Sequence, residues 1–447
     1  MTRARSLLVK LDKPPGGPSR LSHSEPIGIC YIAAVLRQHG LNCRLCHLFE
    51  ESAEAQLRSE IERYRPDIIG FSVRNFNLGR SRLCLDMVRR EFPDIRIAVG
   101  GECVTEDLFS RLGELLDADI FVIGDGETSF LQYASGAEPA MIPGAAQKIA
   151  DGQYRLSGRP THCVHPARLP MMSRDGLPMQ QYSSEGFPGR RYATMHTQRG
   201  CRYRCTFCHT AGRYPEPQSR TVAQILEELD YLVSPCGTEA VTIWDEDFFS
   251  DPRRVRAIAQ GLVDRGSPVE WHSFMKLTDL RKPEVQEMLP LLRRSGYIRA
   301  VIGLESFLPA TLRSYHKANG GSAEDLCKHL AENDILLCPA YIIGAPHETA
   351  LDVRYGLERL RRLYYDHGIR MDLPYVSFIT PFPGTELYDE YSRKGLIADD
   401  DWSHYDGEHV VVRGKCPPDE LVELRDTFYG DFYGQQRPGG DGGQVPL

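Results

Sequence analysis

Arg199-Gly200-Cys201-Arg202-Tyr203-Arg204-Cys205-Thr206-Phe207-Cys208-His209, directly behind the apolar run Tyr192–Thr197, sets three cysteines within eight positions. Thiolates are the ligands of iron–sulfur clusters, and cysteines this close on one loop reach several irons of a single cubane. A [4Fe–4S] cluster takes four ligands, so three leave one iron open, as one position stays open in catalytic zinc sites. Other readings of the same residues stand beside this one. Cys205-Thr206-Phe207-Cys208-His209 fits the C-x-x-C-H pattern of c-type haem attachment but leaves Cys201 idle. Zinc could take Cys201, Cys205, Cys208 and His209, without a second knuckle to shape a tetrahedron. A disulfide belongs to an oxidising compartment, which nothing in the chain announces.

With 447 residues the chain has length for two domains with cores of their own. Its 41% hydrophobic and 26% charged residues are ordinary for a soluble protein. A net charge of −8 argues against nucleic acid as a partner, since the phosphate backbone asks for a basic face. No run of about 18 apolar residues occurs, so no membrane span is expected. The start, Met1 to Leu11, is too short in apolar residues for the core of a signal peptide and reads as a first strand. Thirteen cysteines without such a signal point to a reducing, cytoplasmic setting. Gly-x-x-x-x-Gly-Lys-Ser/Thr, Gly-x-Ser-x-Gly and His-Glu-x-x-His are all absent.

Downstream of the cysteine loop, short apolar runs alternate with helical spacing. Strands are expected at Tyr192–Thr197, Ala240–Trp244, Val269–Phe274, Arg299–Leu304, Leu336–Ile343 and Tyr375–Thr380. Helices fit between them at Val222–Val233 (Thr221 as N-cap, Gln224 three residues on), Pro252–Asp264, Pro283–Arg294, Ala323–Asn333 behind Ser322, and Ala350–Tyr365. Six βα repeats make a partial (β/α)6 version of the eightfold barrel, whose working residues sit at the carboxyl ends of its strands. The second strand ends in Trp244-Asp245-Glu246-Asp247-Phe248, and three carboxylates there need partners if buried; a solvated turn is the plain alternative.

Upstream, residues 6 to 135 alternate in the same way. Strands Ser6–Leu11, Asn42–Leu48, Asp67–Val73, Ile95–Gly100 and Asp119–Gly124 with helices Ile27–His39, Ala53–Tyr64, Ser81–Glu91, Thr105–Leu116 and Gly126–Ala134 make a doubly wound, flavodoxin-like parallel sheet. Such sheets bind ligands at the carboxyl ends of their strands. The unusual residues gather there: Lys13–Pro18, Ser72-Val73-Arg74-Asn75-Phe76-Asn77, Gly100-Gly101-Glu102 and Gly124-Asp125-Gly126-Glu127-Thr128. Tight turns alone would explain any one of them. Cys43 and Cys46 fall inside a strand and read as packing. The expected division is 1–135, a proline-rich irregular connector at 136–191, the barrel at 192–395, a C-terminal segment at 396–433 and a disordered tail at 434–447. Cys327, Cys338 and Cys416 lie on separate elements, so no second cluster is expected.

Cys-x-x-x-Cys-x-x-Cys behind Arg-Gly resembles the signature loop of the radical SAM superfamily. The resemblance implies a [4Fe–4S] cluster on Cys201, Cys205 and Cys208, whose open iron chelates S-adenosylmethionine for one-electron cleavage to a 5′-deoxyadenosyl radical. It also implies an electron donor such as flavodoxin or ferredoxin. The acidic strand end resembles the family's Asp-Asp-x-Phe form, with Glu246 and Asp247 toward the ammonium group of S-adenosylmethionine. Ser273 falls at its polar contact to methionine or ribose, Glu305 in its Gly-x-Glu segment near the ribose, and Gly344 in its Gly-x-Pro-x-Glu-Thr turn bordering adenine. The loops of the first domain, with Glu25-Pro26-Ile27-Gly28 opening its first helix, resemble the cobalamin-binding domain of one large subfamily, which makes Ser72, Arg74, Asn75, Gly100, Gly101, Gly126 and Glu127 candidate cobalamin contacts. The Asp-x-His-x-x-Gly motif is absent, so no histidine is assigned to cobalt. The implied activity is cobalamin-dependent C-methylation of a small molecule in a biosynthetic pathway. The alternative is a dehydratase, epimerase or oxidase acting on a sugar or aminoglycoside with the first domain empty, where Glu246, His272 and Glu348 would hold an amino sugar. A sensor without turnover would leave the acidic strand end and Glu305 unexplained. RNA methylthiolases carry a second cysteine-bound cluster and an RNA-binding tail, and neither is seen here.

Overall fold

A computed structural model describes residues 4–12, 24–49, 52–159, 164–184, 186–211, 214, 216–317, 322–372 and 374–435. The loop Lys13–Pro18 and residues 436–447 of the expected tail lie outside the described residues. The chain divides into two compact units, the first formed chiefly by residues up to Ser183, the second by Ser184–Pro217 and Ile225 onward. Among the described residues no helix is long and apolar enough to cross a membrane.

In the first unit, β1 (Ser6–Leu11), β2 (Cys43–Leu48), β3 (Ile68–Ser72), β4 (Arg96–Gly100) and β5 (Ile120–Val122) are parallel and lie in the order β2-β1-β3-β4-β5. That is the order of flavodoxin-like sheets, with the strand order switching beside β1 and β3. β1 is buried along its whole length, because helices cover both faces of such a sheet and the pattern is a run rather than an alternation. Helices Ile27–Gln38 and Gly126–Ala134 pack on each other. A Cβ at Gly126 would lie 2.7 Å from Ile32 Cδ1, so the missing side chain lets them close. Cys43 Sγ donates to Ala33 O at 3.5 Å, and burial pushes the Cys46 thiol up to about 12, both consistent with packing.

The stretch expected as an irregular connector holds two strands. β6 (Ala145–Ala150) and β7 (Gln153–Ser157) extend the sheet antiparallel beyond β5. Ala150 pairs with Gln153 across Asp151-Gly152, and Gly152 has φ +66°, the backbone that two-residue hairpins require. Tyr154 on β7 donates to Ala118 O at 2.8 Å, and its ring occupies the space a side chain at Gly113 would need.

In the second unit β8 (Tyr192–Met195), β9 (Ala240–Ile243), β10 (Glu270–Met275), β11 (Tyr297–Glu305), β12 (Leu336–Ile343) and β13 (Tyr375–Phe378) form one parallel sheet in sequential order, a half-barrel. Helices Val222–Val233, Pro252–Asp264, Ala323–Glu332 and Ala350–Tyr365 follow β8, β9, β11 and β12. Thr221 and Gln224 exchange the reciprocal cap bonds expected for the first of these, at 3.2 and 3.0 Å. Pro283–Arg294 is two short helices, Pro283–Gln286 and Leu289–Arg294, since Pro290 has no N–H to carry one ladder through. Sequence periodicity also missed the short helices Pro309–Ser314 and Glu386–Arg393 and the long Pro418–Gln435, which docks on Ala350–Tyr365.

The strands alternate between two environments. Trp271 packs on Phe248 and Tyr297 and donates from Nε1 to Ser295 O at 3.1 Å, on the helix-facing side. His272 and Phe274 point the other way, toward Thr242 and Trp244.

Candidate active site

The cysteine loop is shaped by residues far from it in sequence. Gly200 has φ +99°, and a Cβ there would lie 2.7 Å from Tyr214 O; Cys201 N donates to that same carbonyl at 3.1 Å. Thr206, between the second and third cysteines, is buried. Its N–H donates to Tyr315 O at 3.2 Å, its carbonyl accepts from Leu387 N at 3.0 Å, and its Oγ1 donates to Ser314 O at 3.0 Å. Every polar group of Thr206 is therefore satisfied by another part of the barrel.

The acidic end of β9 divides into three roles. Asp245 is fully buried, accepts from Thr197 N at 2.6 Å, Gln198 N at 3.0 Å and Thr197 Oγ1, and lies 3.6 Å from the Arg254 guanidinium. It shapes the approach to the cysteine loop. Glu246 accepts from Gly200 N at 3.2 Å. Asp247 is buried and pairs with Lys276, with the Arg202 guanidinium at 3.9 Å. Asp247 Oδ2 is buried without a hydrogen-bond partner, as is Trp244 Nε1 on the residue just after β9. An acceptor and a donor left unsatisfied beside the loop suit a polar ligand.

Glu305 ends β11 at a bulge, with φ +60°, a left-handed conformation that costs a residue with a side chain and is held by its surroundings. Its carboxylate accepts from Lys317 Nζ at 2.5 Å. A Cβ on Gly303 would strike both partners, at 2.3 Å from Glu305 Oε1 and 2.7 Å from Lys317 Nζ. Gly344 has φ +89°, and the open side of its Cα faces Leu421 of the C-terminal helix. Glu348 accepts from Gly344 N at 3.0 Å, Ala345 N at 3.1 Å and Thr311 Oγ1 at 2.7 Å, which fixes the turn.

Ser273 is not at this mouth. The strand runs one residue past its expected end, and the pleat turns Ser273 to the helix-facing side, fully buried with Oγ 3.4 Å from Tyr297 OH. Phe274 takes the inward place against Trp244, ring centroids 5.2 Å apart. His272 is likewise occupied, with Nε2 2.6 Å from Thr242 Oγ1 and Nδ1 3.0 Å from Arg299 Nη1. Burial and the Arg299 charge bring its pKa down to about 3, so it is neutral. With the Glu348 carboxylate already holding its turn, neither residue presents a group to an amino sugar.

The donor set fits an iron–sulfur cluster. Burial raises the Cys201 thiol, tempered by Lys276, and raises Cys205 to about 11, tempered by Lys317; each also feels the negative charge of its neighbouring thiolates. A cationic metal centre would relieve that repulsion. Among the described residues no three His, Cys, Asp or Glu side chains converge as they would on one metal ion. A cubane instead gives each thiolate an iron of its own.

In the first unit the predicted residues share the carboxyl edge of the sheet. Arg74 pairs with Glu102 at 2.8 Å, and its N–H donates to Asn77 Oδ1 at 2.8 Å. Asn77 Nδ2 donates to Leu11 O at 2.6 Å. Ser72 ends β3 and Gly100 ends β4, paired in register. Gly101, φ +125°, is demanded by the loop itself, since a Cβ would lie 2.2 Å from Val73 O. Gly126 serves helix packing, and Glu127 is buried with partners. Sequence reasoning missed Lys10, Asp12 and His47. His47 lies 2.8 Å from Asp12 Oδ2 and 3.0 Å from Tyr182 OH. Burial, partly offset by Asp12, brings Lys10 down to about 8. Lys10 Nζ and Asn75 Oδ1 are buried without hydrogen-bond partners, so this edge too keeps polar atoms for a ligand such as a corrinoid.

The B12 binding domain family model matches residues 19–134, and the Radical SAM superfamily model matches residues 195–359. An uncharacterized methyltransferase of Pyrococcus horikoshii is 22% identical over 417 residues, 91% of this chain and 87% of that protein. The radical S-adenosylmethionine methyltransferase TsrM from Kitasatospora setae, solved with cobalamin and a [4Fe–4S] cluster, superposes with a TM-score of 0.67 at 19% identity, covering 88% of this chain and 78% of that one. The cobalamin-dependent S-adenosylmethionine radical enzyme OxsB, solved with aqua-cobalamin and S-adenosylmethionine, gives 0.73 at 18% identity, covering 96% and 67%. At these identities the solved structures show a shared fold.

Proposed function

The chain belongs to the radical SAM superfamily and carries a B12-binding domain ahead of its barrel, and from that premise we propose that it methylates an unactivated carbon of a small molecule. The observation that carries the reading is the three-cysteine loop bonded to an acidic strand end that keeps Asp247 Oδ2 unsatisfied. Methyltransferase relatives that span nearly the whole chain support the reaction type. The cofactors, a [4Fe–4S] cluster, S-adenosylmethionine and cobalamin, supply when bound a carbon-centred radical and a transferable methyl group.

The chain's own residues bind, orient and exclude water. Cys201, Cys205 and Cys208 hold the cluster. Asp247 and Glu246 receive the ammonium end of S-adenosylmethionine, and Glu305 faces its ribose. The Gly344 turn, fixed by Glu348, borders its adenine. Trp244 and Phe274 wall the mouth, and excluding water there strengthens the electrostatic contacts that orient the bound groups. Lys10, Arg74 and Asn75 hold the corrinoid at the edge of the first sheet. Substrates to screen are natural-product intermediates, sugars and aminoglycosides among them. A flavodoxin or ferredoxin supplies electrons, in the reducing cytoplasm.

Anaerobic reconstitution with iron, sulfide and hydroxocobalamin, then desalting and metal analysis, tests the reading. About four irons and one cobalt per chain are expected. Iron without cobalt would overturn methylation in favour of dehydration, epimerisation or oxidation. Absence of iron would overturn the cluster itself.

A further inference from the structure

Two lysines frame the cysteine loop, and neither belongs to a motif. Lys276 follows the last residue of β10. Its Nζ pairs with Asp247, lies 3.3 Å from Glu246 O and sits 4.7 Å from the centre of the Tyr203 ring, in the middle of the loop. Lys317 stands two residues past Tyr315, whose carbonyl receives the Thr206 N–H, and pairs with Glu305 at 2.5 Å. Their side chains are 17% and 14% exposed, so solvent screens them little. The Lys276 ammonium thus lies between a strand-end carboxylate and the loop, the Lys317 ammonium holds the Glu305 carboxylate and acts electrostatically on Cys205, and Gly303 keeps clear the space the second pair occupies. Other charges nearby are Arg202, 3.9 Å from Asp247, and the buried Asp279 carboxylate, which accepts from Lys276 N at 3.0 Å.

Resting on the cluster reading above, we infer that Lys276 and Lys317 set the reduction potential of the cluster, each held in place by its carboxylate. The cluster accepts one electron from an external donor and gains one unit of negative charge. Cations at short range in a poorly screened site stabilise that reduced form and raise the potential. Asp247 and Glu305 work in the opposite sense, because each offsets the lysine it positions. The two pairs are therefore positioning and charge-setting devices, and each has a predictable sign.

The test is a mediated potentiometric titration of the reconstituted holoprotein without S-adenosylmethionine, followed by electron paramagnetic resonance of the reduced cluster. Lys276→Met and Lys317→Met are expected to shift the midpoint negative, with the double variant shifting further. Asp247→Asn and Glu305→Gln are expected to shift it positive, and Lys276→Arg to restore it. Opposite signs within one pair are what a structural defect would not produce, since a loosened loop loses iron whichever partner is changed. Variants that hold wild-type iron with an unmoved midpoint, or that move it the same way for both partners, would overturn the inference and leave the cluster reading standing. A wild-type protein that takes up no iron would overturn both.

Discussion

Gly200 turns the chain into its first cysteine with φ +99°, and the nearest atom to an added Cβ is a backbone oxygen at 2.7 Å. Backbone cannot swing aside as a side chain can. Gly200→Ala is expected to cost about 1–3 kcal/mol and to leave the purified protein with less than half the wild-type iron after identical reconstitution. Asp12 gives a prediction with a pH sign. Against the upward push of burial, the Lys10 charge and the His47 hydrogen bond hold its pKa at about 2, below the usual carboxylate range. Its stabilisation, about 2 kcal/mol, is fully present above pH ~4 and is lost as the pH falls through the folded value. Asp12→Asn should be the less stable protein in urea at neutral pH, and the gap should close between about pH 4 and pH 2. The proposed cysteine ligands could be picked out because three thiols fall within eight positions. The lysines were not. Lys276 meets Asp247 across 29 residues and Lys317 meets Glu305 across 12, and His47 meets Tyr182 across 135, so only folding makes them pairs.

The helix Pro418–Gln435 shows how a polar-looking element takes part in the site. Leu421 on its first turn is buried and lies 3.1 Å from where a Cβ on Gly344 would be, while Phe428 and Phe432 seat its far end, with Tyr364 beside Phe432. Leu421→Ala should cost about 2–5 kcal/mol by the cavity it opens, lowering the melting temperature. By loosening the turn at Gly344 it should also weaken retention of S-adenosylmethionine in equilibrium dialysis. Parallel strands and their helices were readable because apolar runs and 3.6-residue spacing are strong local signals. The β6–β7 hairpin was lost among the prolines around it, although Asp151-Gly152 between two short runs is a hairpin signal. Ser273 shows the other limit. In a strand with period 2, an end misplaced by one residue reverses which side chain faces the site.

At the scale of the molecule, two units with separate cores carry two kinds of prediction. Removing iron with a chelator under oxidising conditions takes away a ligand that binds only the folded second unit, so the main thermal transition should move down by several degrees. The Asp12-dependent acid response belongs to the first unit and should be unchanged. Cys201→Ser should show the lower transition without treatment. The acidic balance of −8 predicts no retention on a nucleic-acid column at moderate salt.

The approach to the cysteine loop is held by Asp245, and Thr206 within it by Ser314, Tyr315 and Leu387. A chain leaving the ribosome exposes its three thiols nearly two hundred residues before the last of those partners has been made. Until then the thiols hang on an unshaped segment, open to oxidation and to adventitious metals. The shaped loop is therefore one of the last parts of the barrel to be completed, since Leu387 must be in place before the Thr206 carbonyl finds its donor.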